Sequence, residues 1–181
     1  MIKFNDLNIQ QNKIYNNLNK SIRRVFKHGK YIMGPEIDRL EKKLSSFVNS
    51  KYCITVSSGT DALLISLMAL NVSKGDEVIT SPFSYFATSE VILMLGAKPI
   101  YVDIDLLTYN IDVNKIENKI TNRTKAIVPV SIFGQCADLT NLEKISKKYK
   151  IPIIEDAAQS FGAIHNNRRS CNFGDIGCTS F

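Results

Sequence analysis

Over the first thirty positions a polar stretch rich in Asn and Lys carries apolar residues at helical spacing, at Ile14, Leu18, Ile22 and Phe26. Gly29 closes that helix, residues 31–35 read as a turn, and a second helical period runs over 36–48 through Ile37, Leu40, Leu44 and Phe47. The pattern then changes. Short β-rich runs at 52–56, 77–80, 99–102, 126–130 and 151–154 alternate with helical periods at 61–70, 84–95, 113–120 and 139–149. Such alternation predicts an α/β fold with a mostly parallel sheet, and the right-handed crossover rule puts helices on both of its faces. A last run, 176–181, predicts one more strand. The expected division is an N-terminal helical segment over 1–50 and an α/β domain over 51–181.

At 181 residues, with 44% hydrophobic and 22% charged, the composition is that of a globular chain with a real core. The start, Met1-Ile-Lys-Phe-Asn-Asp6, lacks a basic segment followed by a long apolar core, so no secretory signal is read there. The most apolar stretches, 62–70 and 91–95, are too short to span a bilayer. A soluble, cytoplasmic protein is the expectation. Cys53, Cys136, Cys171 and Cys178 form neither a C-x-x-C pair nor a zinc-like set with His28 and His165, which points to reduced structural thiols. The net charge of +6 is scattered, with small groups at Arg23, Arg24 and Lys27, at Lys147, Lys148 and Lys150, and at Arg168 and Arg169. That is a solvated surface rather than a nucleic-acid footprint, although it favours phosphorylated small molecules.

The chemistry concentrates where the apolar runs end. Ile151-Pro-Ile-Ile-Glu-Asp156 closes on a carboxylate, with Gln159 three residues further on. In an open parallel sheet ligands lie outside the carboxyl ends of the strands, so Asp156 is either a cofactor contact or a structural acid capping the next turn. Neither G-x-x-x-x-G-K-[ST] nor G-x-G-x-x-G occurs, so two common nucleotide loops are excluded. Ser57-Ser-Gly-Thr-Asp61 precedes an apolar helix. It reads equally as a phosphate cradle, with Gly59 allowing close approach and Thr60 adding a hydroxyl, and as an ordinary helix cap. Phe83, Tyr85 and Phe86 follow the second strand, either as core or as rings to stack on a planar ligand. Phosphate cradle, aromatic face, carboxylate and amide together suit pyridoxal 5'-phosphate. A buried Asp paired with its pyridine nitrogen keeps that nitrogen protonated, and Gln159 donates to its phenolic oxygen.

Five ordered motifs carry a resemblance: Ser57-Ser-Gly-Thr-Asp-Ala62, Ser84-Tyr-Phe-Ala-Thr88, Phe133-Gly-Gln-Cys-Ala-Asp138, Glu155-Asp-Ala-Ala-Gln-Ser160 and Gly174-Asp-Ile-Gly-Cys-Thr-Ser-Phe181. Together they resemble the DegT/DnrJ/EryC1/StrS sugar aminotransferases. The resemblance implies the large domain of a fold-type-I pyridoxal-phosphate enzyme. Thr60 and the backbone at Asp61 would hold the cofactor phosphate with Ser180, Tyr85 would stack on the ring, and Asp156 and Gln159 would take the roles just given. Residues 29–36 are similar to the family's substrate loop, which assigns Tyr31, Met33 and Gly34 to substrate binding.

The family's Schiff-base lysine is expected a few residues beyond Phe181, so the chain is expected to be the N-terminal half of the enzyme, without the catalytic lysine and inactive alone. Lys51, Lys74, Lys98 and Lys125 are expected at the opposite sheet edge and cannot replace it. The implied reaction transfers an amino group, commonly from glutamate, to a keto-sugar on a nucleoside diphosphate, in a homodimer. The Gly-Gln-Cys-Ala-Asp segment is similar to members acting on UDP-linked acetamido sugars for surface polysaccharide. A sugar dehydratase on the same scaffold and a non-catalytic remnant are the alternatives.

Overall fold

Alternate side chains of a strand leave on opposite sides, and in the central strands of this protein both sides are dry. The computed structural model describes residue 4 and residues 6–181; residues 1–3 and 5 of the expected N-terminal segment lie outside them. It divides into two compact units, one ending at Lys43 and one covering Leu44–Phe181. In the first, α1 (Leu7–His28) starts at Asp6, whose side chain accepts from the Asn8 amide, and ends at Gly29 in the left-handed region. Next comes α2 (Pro35–Val48), with proline at its first position, where no amide partner is needed. No helix among the described residues is long and apolar enough to cross a membrane.

The second unit holds α3 (Gly59–Ala69), β1 (Glu77–Thr80), α4 (Ala87–Met94), β2 (Lys98–Tyr101), β3 (Thr124–Val128), α5 (Leu139–Tyr149), β4 (Ile154–Asp156), β5 (Ile164–His165), β6 (Arg168–Arg169) and β7 (Ile176–Cys178). Strands β2, β1 and β3 form a parallel sheet in that order, and β4 pairs in parallel with β7. Parallel bridges Ile127 to Ile153 and Val130 to Asp156 join the two pieces into one strand series, β2-β1-β3-β4-β7. Alternation sorts the core. Val78, Ala126, Val128 and Ile154 pack with Leu63 and Leu67 of α3 and Val91 and Ile92 of α4. Ile79, Ile127 and Ile153 pack with Leu139, Leu142 and Ile145 of α5 on the other face. The mostly parallel sheet with helices on both faces is therefore as the sequence predicts.

Three local expectations fail, and one element was not expected. Residues 52–56 form no strand. Tyr52 and Ile54 are exposed, and a β-rich run without a partner strand among the described residues has no ladder to join. Residues 113–120 form two 3₁₀ turns, Val113–Lys115 and Glu117–Lys119, instead of a helix. There Asp112 accepts from the Asn114 amide, and such side-chain bonds to backbone compete with helical ones. The run at 176–181 is a strand only as far as Cys178. The antiparallel β5–β6 hairpin, turned by Asn166 and Asn167 at positive φ, is unanticipated.

Candidate functional site

The carboxyl ends of β1, β3, β4 and β7 share one edge of the sheet, and Asp156 is the last residue of β4. By strand parity it leaves on the same side as Ile154, the α3/α4 side. There its Oδ2 accepts from the Thr88 hydroxyl at 2.7 Å and its Oδ1 from the Ala158 amide at 3.2 Å. Only 6% of the residue is exposed, and burial pushes its pKa up against the lowering effect of those two bonds. Both donors are neutral, and no cation among the described residues pairs with it. An ionised carboxylate held in this way lacks the counter-charge that burial demands.

Beside it, α3 begins at the same edge. Ser58 caps the helix, its hydroxyl accepting from the Asp61 amide at 3.1 Å, and Ser57 donates to the Asp61 carboxylate. The cap is thus real, and it occupies the one backbone donor the sequence assigned to phosphate. The amides of Gly59 and Thr60, earlier in the same turn, have no acceptor among the described residues and face the positive end of the helix dipole. Ser180 packs directly on this turn. A β-carbon on Gly59 would lie 2.9 Å from the Ser180 Cβ and 3.3 Å from its Oγ, so only glycine admits the approach. Pairing of β4 with β7, continued by the Ala157 amide donating to the Cys178 carbonyl at 2.7 Å, fixes Ser180 near Asp156.

Gln159 joins the edge through an unforeseen partner. Its Oε1 accepts from the Phe133 amide at 3.3 Å, so the amide nitrogen is the end left to donate. Phe133 is held at φ 56, a left-handed value uncommon for a bulky residue. Its ring meets Phe83 at 6.2 Å and Tyr109 at 6.3 Å between centroids. Phe83, Tyr85 and Phe86 are all exposed, which removes the core reading for the three; Tyr85 is 77% exposed. Tyr31 and Met33, in the N-terminal unit, are exposed as well. Gly34 is buried there, and a β-carbon on it would lie 2.4 Å from the Lys30 carbonyl oxygen.

Three supporting residues escaped the sequence reading. Thr88 was visible only as part of a motif, without a role. Asn110, buried, ties two loops: its Nδ2 donates to the Gln135 and Cys136 carbonyls at 3.2 Å each, and its Oδ1 accepts from the Ile132 amide at 3.0 Å. Glu155, fully buried, leaves β4 on the α5 side. It accepts from the Ser170 hydroxyl at 2.7 Å, the Ser131 hydroxyl at 3.3 Å and the Cys171 amide at 2.8 Å. Strand parity alone signals the Glu155/Asp156 split; nothing local signals the other two. Burial pushes Cys136 and Cys178 up to about 11 and Cys171 to about 12, so none is a thiolate near neutral pH.

The DegT/DnrJ/EryC1/StrS aminotransferase family model matches residues 12–181. The chain belongs to the DegT/DnrJ/EryC1/StrS aminotransferase family. Among relatives of this family, the chain is 56% identical over its whole length to the UDP-2-acetamido-2-deoxy-3-oxo-D-glucuronate aminotransferase of Pseudomonas aeruginosa, and covers 50% of it. A DegT/DnrJ/EryC1/StrS aminotransferase from Brucella abortus superposes on all of the chain with a TM-score of 0.95 at 38% identity, and the chain covers 50% of that structure. The Bacillus subtilis protein NtdA, solved with bound cofactor PMP, matches 83% of the chain with a TM-score of 0.80 at 41% identity, with 35% of its own length covered. The chain therefore spans about half the length of the first two. The fold-type-I assignment stands on these likenesses together with the parallel sheet.

Proposed function

We propose that this chain supplies the cofactor-binding face of a pyridoxal-phosphate-dependent aminotransferase acting on a nucleotide-linked keto-sugar. Asp156 carries the reading: a buried carboxylate at a strand's carboxyl end, with two neutral donors and no counter-cation among the described residues. When bound, the cofactor supplies an electron sink, provided its pyridine nitrogen is protonated. Asp156 holds that proton, because a pyridinium restores the charge balance that burial withholds. The Gly59 and Thr60 amides, the Thr60 hydroxyl and Ser180 hold the phosphate at the α3 N-terminus, with the Asp61 amide engaged in capping. Gln159 donates to the phenolic oxygen, its carbonyl end being kept by Phe133. Tyr85, exposed at the end of the β1 loop, covers the ring face.

The P. aeruginosa relative, named for a UDP-linked acetamido keto-sugar acid, supports a UDP-acetamido sugar as amino acceptor; glutamate is the donor we assign. Tyr31, Met33 and Gly34 are assigned to that substrate, and a homodimer to the working enzyme. Pyridoxamine 5'-phosphate binding, which needs no covalent bond to lysine, tests the cofactor reading. Asp156→Asn should weaken it roughly ten- to a hundredfold while circular dichroism stays unchanged, because a neutral amide cannot hold the pyridine proton. Equal affinity in the two proteins would remove Asp156 from this role.

A further inference from the structure

We propose that Thr88 is a positioning residue for Asp156: its hydroxyl, at 2.7 Å from Oδ2, fixes the carboxylate and keeps it ionised for a cationic ring nitrogen. The inference rests on the cofactor reading above. Thr88 is 2% exposed and stands in the first turn of α4, 68 residues from Asp156 in sequence. A threonine hydroxyl so early in a helix has no carbonyl of its own helix four residues back to bond. This one instead spends its only proton across the helix–sheet interface, on a carboxylate that burial would otherwise neutralise.

Among the described residues no other side chain does this. On β4, Glu155 lies on the opposite side and turns to Ser131, Ser170 and Cys171. On β7, Cys178 is pushed up by burial and meets the Ser66 hydroxyl at 3.3 Å. Asp61 of α3 takes the Ser57 hydroxyl, Glu90 of α4 is exposed, and Lys125 of β3 is exposed near the far end of the sheet. Among the described residues the second donor to Asp156 is the Ala158 amide, which belongs to its own turn and cannot set the position of β4 against α4. Thr88 thus couples the carboxylate's charge to the packing of α4.

The test is the pH dependence of pyridoxamine 5'-phosphate affinity, read beside a ¹³C-aspartate NMR titration of Asp156 in the ligand-free protein. Affinity falls in acid as Asp156 takes a proton. Removing a bond that favours the ionised form raises the pKa, so Thr88→Val should move this acid limb upward by about one pH unit, and the ¹³C midpoint with it. Thr88→Ser, which keeps the hydroxyl, should restore both. A folded Thr88→Val protein with both midpoints unmoved overturns the proposal. If valine prevents folding, Thr88→Ala is read by the same criterion. If the unaltered protein fails to bind the ligand, the cofactor reading falls, and the ¹³C shift alone decides whether Thr88 governs Asp156.

Discussion

Glu155 and Asp156 are neighbours of one chemical type, and β4 sends them to opposite faces with opposite duties. Asp156 keeps two donors and a place at the sheet edge, whereas Glu155 is surrounded by three donors that fasten the 131–137 and 157–172 loops. Burial raises the Glu155 pKa, so the folded chain binds this proton more tightly than the unfolded chain does. Stability from this group is then fully present below about pH 4.3 and is lost as pH rises through the native pKa. Glu155→Gln sets an amide hydrogen against the Cys171 amide and should cost about 1–3 kcal/mol. The cost should narrow as pH rises from about 4 toward neutrality, as urea unfolding of both proteins across that range would show. A gap that widened with pH would mean that the three donors outweigh burial.

Among the elements, the loops after β2 and β3 are tied to each other by the Asn110 side chain, beside the Tyr109–Phe133 ring contact. Asn110 closes the turn that begins at Asp105, whose carboxylate accepts from the Leu107 and Thr108 amides, and it fastens that turn to three backbone groups of residues 132–136. Asn110→Ala leaves those groups unpartnered and should destabilise by about 2–3 kcal/mol in urea melts. The same change frees Phe133, hence Gln159, so pyridoxamine 5'-phosphate affinity should drop even at temperatures where the variant is folded. The strands and long helices were legible because period and burial agree in them: Val78 and Ile79 alternate into two cores, and Leu139, Leu142 and Ile145 line one face of α5. Residues 52–56 were misread because β-propensity describes a surface to be paired and says nothing of whether a partner is there. Thr88 and Asn110 were illegible for a related reason: each acts on a segment more than twenty residues away, which no local pattern encodes.

At the scale of the whole Leu44–Phe181 unit, the site exists only where distant segments close on one another. Gly59 and Ser180 make one such closure. Gly59→Ala sets a methyl 2.9 Å from the Ser180 Cβ, which forces β7 and α3 apart. We expect a loss of about 1–3 kcal/mol in thermal unfolding together with weakened ligand binding. A variant with unchanged melting temperature would show that the turn yields freely.

The parallel sheet sets an order of events as well as an architecture. Parallel neighbours are never adjacent in sequence, so each pairing must wait for a crossover, and loop closure makes such folds slow. On the ribosome α3 emerges early, but the serine that braces its first turn comes two residues after β7, more than a hundred residues later. Until β7 docks, the first turn of α3 has no far wall and Asp156 has an open flank. On the proposed cofactor reading, holding the phosphate waits on the docking of β7, so a chain stalled before that step should bind pyridoxamine 5'-phosphate weakly.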